Sequence, residues 1–265
     1  MTDPKNRYTR IIEAIFDNHY KKGVKEISFN REEFIAVAAR LGIDPPKNLG
    51  DILYTFRYRA DLPSSISQKA GRGKQWIIRP AGKGLYRFVQ VRKFDIEPSK
   101  GLAKTKIPDS TPSIIEMYAL SDEQSLLAKI RYNRLVDIFT GLTCFSLQNH
   151  LRTSVPGLGQ LETDELYIGI NKQGVHFVLP IQAKGGKDKL GVVQIEQDIA
   201  LCEEKFPNLV CTPIAAQFMQ GGVIALFQLE DTNNGINISF EKHYQLVPSD
   251  KLTKDEINSY RNRFA

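Results

Sequence analysis

The chain has 265 residues, 42% of them hydrophobic and 25% charged, with a formal net charge of +6. This is an ordinary globular composition with room for one large domain or two of usual size. No stretch approaches the ~20 apolar residues of a membrane span, and Met1-Thr2-Asp3-Pro4-Lys5 has no apolar core behind it, so no secretory signal is expected. Cys144, Cys202 and Cys211 have neither a metal-ligand spacing nor a disulfide framework. A soluble, cytoplasmic protein with reduced thiols and no membrane contact is expected.

Charge is unevenly spread. Residues 1–106 hold 22 Lys+Arg and 11 Asp+Glu, a net of +11, while residues 107–265 hold 14 and 19, a net of −5. A basic front half on a mildly acidic back half suggests a polyanion-binding module joined to a second domain.

Tyr8, Ile11, Ile12, Ile15 and Phe16 follow the spacing of an amphipathic helix. Asn30-x-x-Glu33 resembles a capping box opening a second helix with Phe34, Val37, Ala38 and Leu41 inward and Gly42 as its stop. A third helix runs from about Asn48 and buries Leu49, Ile52, Leu53 and Phe56. The runs Trp76–Arg79 and Leu85–Val89 flank Pro80-Ala81-Gly82-Lys83-Gly84 and predict a hairpin with a basic tip. Three helices and a hairpin in this order predict a winged helix-turn-helix over residues 1–92, its third helix in the major groove. Arg57, Arg59, Lys74, Arg79, Lys83 and Arg87 are its candidate DNA-binding residues, because cations that neutralise phosphates dominate affinity. A small helical domain with solvated basic residues, or one that binds protein, is the plainer alternative. Residues 93–112, mixing Pro, Gly and Lys without apolar period, are assigned as a linker.

The second domain spans 113–265. Ser121-Asp122-Glu123-Gln124 is a capping box opening a helical stretch through Leu126, Leu127, Ile130, Leu135 and Ile138, with helix resuming after Gly141 towards His150. Leu161–Ile170 and Val175–Ala183 then predict two strands about a turn at 171–174, Val192–Lys205 a helix, and Leu209–Phe218 and Val223–Leu229 two more strands. This is an α/β domain with a mixed central sheet. Side chains two apart on a strand share a face, which places Glu162 with Asp164 and Gln182 with Lys184. A tight hairpin brings the two pairs together. Carboxylate and amide oxygens are donors that suit Mg²⁺, and a lysine beside them suits phosphodiester hydrolysis. Gly185-Gly186 would admit a phosphodiester closely, with Lys187 and Lys189 adding charge.

Gly159-Gln160-Leu161-Glu162-Thr163-Asp164 followed by Ile181-Gln182-Ala183-Lys184 resembles the PD-(D/E)XK nuclease superfamily. The Gln-x-Lys form is similar to that of Mrr-type restriction nucleases, and Gln182-Ala183-Lys184-Gly185-Gly186-Lys187-Asp188 resembles a run in bacterial endonucleases. The resemblance implies a restriction endonuclease-like fold and a Mg²⁺-dependent endonuclease, with Mn²⁺ as a substitute. It implies Asp164 as the metal-binding acid, Gln182 in the place usually held by Glu or Asp, Lys184 as the catalytic lysine and Gln194 as a helix residue often found there. Gln182 adds no negative charge, so the metal would lean on Asp164 and Glu162. Glu123 is the candidate acid from the opening helix and Asp137 the reserve; Glu165 points the other way. Taken alone, Glu162 and Asp164 read as exposed strand positions, Lys184 as a solvated strand end and Gln182 as a satisfied core amide. His150 is a candidate phosphate contact, or a helix-end residue with local hydrogen bonds. Double-stranded DNA, a homodimer and a companion methyltransferase are the expected partners. A catalytically inactive regulator of nuclease fold, and a nuclease for RNA or for branched DNA in repair, are the competing functions. No zinc ligand pattern and no NTP-binding glycine loop occurs.

Overall fold

The computed structural model describes residues 4–118, 122–185, 190–232 and 235–262. The N-terminal body runs α1 (Pro4–His19), β1 (Glu26–Asn30), α2 (Glu33–Arg40), α3 (Gly50–Tyr54), a π-helical turn (Thr55–Arg59), α4 (Ser64–Ser67), β2 (Lys74–Gly82) and β3 (Leu85–Arg92). Its antiparallel sheet has the order β1-β3-β2. Ile11, Ile12, Ile15 and Phe16 of α1 are fully buried against Phe29, Phe34, Ile52, Trp76 and Phe88, so the apolar stripe read from the sequence is the core. β1 was not foreseen, although its alternate burial of Ile27 and Phe29 is a period-2 signal. Asn30 therefore ends a strand, and its backbone N–H donates to Glu33 Oε1 at 2.8 Å, half of the expected capping box.

The C-terminal body runs β4 (Lys104–Pro108), α5 (Ser113–Tyr118), α6 (Asp122–Tyr132), α7 (Leu135–Thr140), β5 (Thr143–Val155), β6 (Gly159–Ile170), β7 (His176–Lys184), α8 (Val192–Lys205), β8 (Val210–Cys211), β9 (Ile214–Met219), β10 (Val223–Thr232), β11 (Gly235–Val247) and α9 (Lys254–Asn262). These strands form a mixed eight-stranded sheet of order β4-β11-β10-β9-β7-β6-β5, with β8 also paired to β7. β7 runs parallel to β8 and β9, β4 runs parallel to β11, and the other pairs are antiparallel. The protein is thus α+β, a small antiparallel sheet with helices followed by a large mixed sheet with helices. Ser121, the first residue of the expected capping box, lies outside the described residues.

The large sheet is covered on both faces. Leu126 and Ile130 of α6 pack with Leu179, Ile181 and Ala183 of β7 on one side. On the other, Leu201 of α8 packs with Val178 and Leu166, and Ile195 with Ala215 and Phe227. β7 is thereby buried on both faces and reads as a near-continuous apolar run, as central strands do. Gln182 stands out against that run.

Two expectations are corrected. The stretch after Gly141 is β5, not helix; it is the last strand of the sheet, and the alternation begun by the exposed Phe145 and Leu147 does not continue through Gln148-Asn149-His150. Residues 93–112 are folded onto the C-terminal body rather than free. β4 joins the sheet, Ile96 is buried and bridges Leu190, and Ser99 donates from its N–H and hydroxyl to Glu241. Among the described residues no helix is long and apolar enough to cross a membrane.

Candidate active site

β6 and β7 are joined by a turn in which Asn171 Oδ1 accepts the N–H groups of Gln173 and Val175, both at 2.9 Å. This fixes the register that pairs Ile170 with His176 and runs to Glu165 with Ile181, where the ladder ends. One residue beyond, Asp164 Oδ2 accepts the N–H of Ala183 at 2.8 Å. The carboxylate takes over a bond that the strand partner no longer supplies, and the two strands part there.

The alternation of β6 breaks at the same point. Glu165 faces α6, where Arg131 Nε donates to its Oε1 at 2.7 Å. Thr163, two residues away, is hydrogen-bonded to Asp198 of α8 on the opposite side. The break falls after Asp164, since Leu161 and Thr163 both still face α8. Glu162 is exposed and its carboxylate is turned to Arg152 of β5, with Arg152 Nε 3.1 Å from Oε2.

Gln182 and Lys184 also part. Gln182 is 1% exposed, and its Nε2 donates to both oxygens of Asp198, at 3.0 and 3.2 Å. Gln194 Nε2 donates in turn to Gln182 Oε1 at 3.4 Å, while Gln194 Oε1 accepts the N–H of Gly191 at the start of α8 at 3.3 Å. Lys184, at the strand end, instead reaches α6, its Nζ 3.2 Å from Glu123 Oε1. A long side chain at the end of a strand can cross to the other layer, which a buried amide cannot.

Two carboxyl groups are perturbed. Burial raises the pKa of Asp164; the Ala183 N–H, Lys184 and His150 oppose this and Glu123 adds to it. Asp198 is fully buried, and burial pushes it up to about 8 against the bonds from Gln182 and Thr163 and with a smaller push from Asp164. At neutral pH Asp198 is therefore mostly the neutral acid, which Thr163 and Gln182 surround.

The structure thus brings together Asp164, Lys184 and Glu123 on one side and Gln182, Gln194 and Asp198 on the other, with Glu162 turned away. Asp198 was missed from the sequence. The signal was its position four residues after Gln194 on α8, which puts both on one helix face. Asp137, the reserve acid, pairs with Arg134 and accepts the N–H of Cys144 at 3.0 Å. Gly186, Lys187, Asp188 and Lys189 lie outside the described residues. Among the described residues no group of three or more His, Cys, Asp or Glu stands together as a metal cluster. The oxygens at hand are those of Asp164 and Glu123, with Gln182 Oε1 available only if it gives up Gln194. Hard oxygen donors of this kind, few in number, fit a Mg²⁺ ion that keeps much of its water.

The basic residues of the N-terminal body divide in two groups. Lys83 is exposed at the β2–β3 turn, Lys74 is exposed where β2 begins, and Arg59 is exposed with its guanidinium 4.8 Å from the Tyr54 ring centroid. The others are engaged. Arg87 pairs with Glu26 at 2.9 Å. Arg79 forms a two-pronged pair with Glu196 of α8, Nε to Oε2 at 2.9 Å and the second nitrogen to Oε1. Arg57 lies over the Tyr58 ring, with its Nε and one terminal nitrogen buried without a partner, and burial lowers its pKa. Tyr58 donates to Gln197 Oε1 at 2.8 Å. α8 is therefore gripped by the N-terminal body through Glu196 and Gln197, while Gln194 and Asp198 hold Gln182.

Comparison with protein-family models, with curated proteins and with solved structures found no match.

Proposed function

We propose that the chain is a Mg²⁺-dependent, restriction-type DNA endonuclease of the PD-(D/E)XK kind, with an N-terminal winged helix-turn-helix that grips double-stranded DNA. The observation that carries this reading is the meeting of Asp164, Lys184 and Glu123 where β6 and β7 part. The order helix, strand, three helices and hairpin, with the strand paired to the hairpin and Lys83 at its tip, supports the DNA-binding half.

Hydrolysis needs a water oxygen to attack phosphorus while the bond to the leaving oxygen breaks and that oxygen gains a proton. Asp164 is the residue that would hold Mg²⁺. When bound, the ion supplies an acidified water and charge to offset the phosphate. Lys184 is 14% exposed, so its ammonium acts in a medium that screens it little. It holds positive charge beside the phosphate and orients the attacking water, and Glu123 fixes its position. Gln194 and Asp198 fix Gln182, so α8 sets the shape of this end of β7. Two-strand cutting with one site per chain calls for a homodimer.

A second reading, a DNA-binding regulator of the same fold without catalysis, is favoured by one observation: Gln182 is spent on α8. Supercoiled plasmid incubated with Mg²⁺ and with EDTA separates the two. Cutting that needs the metal and disappears in Lys184→Ala supports the nuclease; binding without cutting supports the regulator.

A further inference from the structure

His150 lies across the β5–β6 ladder from Asp164. The pairs Asn149 with Glu165 and Leu151 with Thr163 hold on either side of it. His150 itself has φ 47°, in the left-handed region that residues with a side chain seldom adopt. The other described non-glycine residue with positive φ, Arg134, stands at the start of α7, where the chain turns between two helices. His150 answers to no turn. It sits alone inside a 13-residue strand.

Beyond the bulge between Ser146 and Gln148, two further interruptions of regular strand geometry face each other, at His150 on β5 and at Asp164 on β6. A left-handed residue swings its side chain out of the alternation of its strand, so the placement of the ring is what the distortion achieves. Strain of this kind gathers at functional sites and is sustained by the structure around it. Here the β5–β6 pairs on both sides supply that support. The ring is exposed, and among the described residues no hydrogen bond holds it. It is close enough to Asp164 to act on its charge, as Lys184 and Glu123 are.

We propose that His150 is a phosphate-contacting residue of this site, its imidazole N–H donating to a non-bridging oxygen of the target phosphodiester beside Asp164 and Lys184. The inference takes its substrate from the nuclease reading. It does not depend on cutting, because the contact is made in the bound state. Imidazole suits the position: either tautomer carries one N–H donor.

Two variants test this in the full-length protein. His150→Gly removes the ring and leaves a residue at ease with positive φ, whereas His150→Ala removes the ring and keeps the backbone strain. Duplex affinity is measured by fluorescence anisotropy in EDTA, cleavage in Mg²⁺, and the thermal midpoint without DNA. Both variants should lose roughly ten- to a hundredfold in affinity, the worth of one hydrogen bond to a charged group. The glycine variant should have the higher midpoint of the two. Unchanged affinity in both variants overturns the inference, as does wild-type protein that binds no duplex. Affinity lost only in the variant whose midpoint has collapsed assigns His150 to folding and overturns it too. If the wild type binds without cutting and both variants bind more weakly, the contact stands and the nuclease reading falls.

Discussion

Asp198→Asn should make stability less dependent on pH, because it removes a carboxyl that the fold holds neutral. The pKa of Asp198 is raised in the folded protein from 3.8 to about 8. Below about pH 4 the folded and unfolded chains both carry the proton and burial costs nothing. Between about pH 4 and about pH 8 only the folded chain keeps it. Folding then takes up a proton, and stability falls by about 1.4 kcal/mol per pH unit. Above about pH 8 both states are ionised and the loss is complete, on the order of 5 kcal/mol. The asparagine has no such loss. It places an amide nitrogen against Gln182 Nε2, which now donates to both oxygens, and so gives up one hydrogen bond of about 1 kcal/mol. The variant should be slightly less stable than wild type at pH 4.5 and more stable by several kcal/mol at pH 9. Urea unfolding followed by far-UV circular dichroism reads the difference across that range; the single tryptophan, Trp76, belongs to the N-terminal core and would miss it. Curves for the two proteins that run parallel from pH 4.5 to 9 would show that Asp198 is charged in the folded state and refute the reasoning.

The division among basic residues predicts separable effects. Lys83→Ala should weaken duplex binding and lower the slope of log K against log salt by about 1, as loss of one phosphate contact does. Arg79→Ala should leave that slope unchanged and instead cost about 1 kcal/mol of stability, since its guanidinium holds Glu196 in a partly exposed pair. Arg131→Ala should destabilise by about 3 kcal/mol at neutral pH, measured by urea unfolding, because Glu165 is fully buried and Arg131 is its paired cation. A loss below about 0.5 kcal/mol would mean that Glu165 is held neutral or reached by water.

The central part of the C-terminal body was legible in the sequence. β6, β7 and α8 announce themselves through apolar runs of the right length and period, and the turn at Asn171 through its residue types. β5 was not legible, because an edge strand with Phe145 and Leu147 outward and a left-handed His150 has no regular period. The linker assignment failed because five residues rich in Lys, ending in Pro108, still suffice for a strand once β11 offers an edge. At the site, the nearness of Asp164 and Lys184 was legible because the turn residues fix the register and place both just past the far end of the β6–β7 ladder. Glu162 is engaged by Arg152 and Gln182 by Asp198, partners that strand spacing alone does not reveal. Asp198 escaped because a single acid on an apolar helix face carries no motif; only the facing amide gives it meaning.

The proposed chemistry centres on Asp164. The direct measurement is the single-turnover rate of plasmid nicking in Mg²⁺, with enzyme in excess, for wild type and Asp164→Asn, both checked for the same circular dichroism spectrum. The rate should fall roughly a hundredfold or more, the scale of losing a group that acts at the reacting phosphate. Nicking by Asp164→Asn at the wild-type rate would contradict this and place the chemistry elsewhere in the chain.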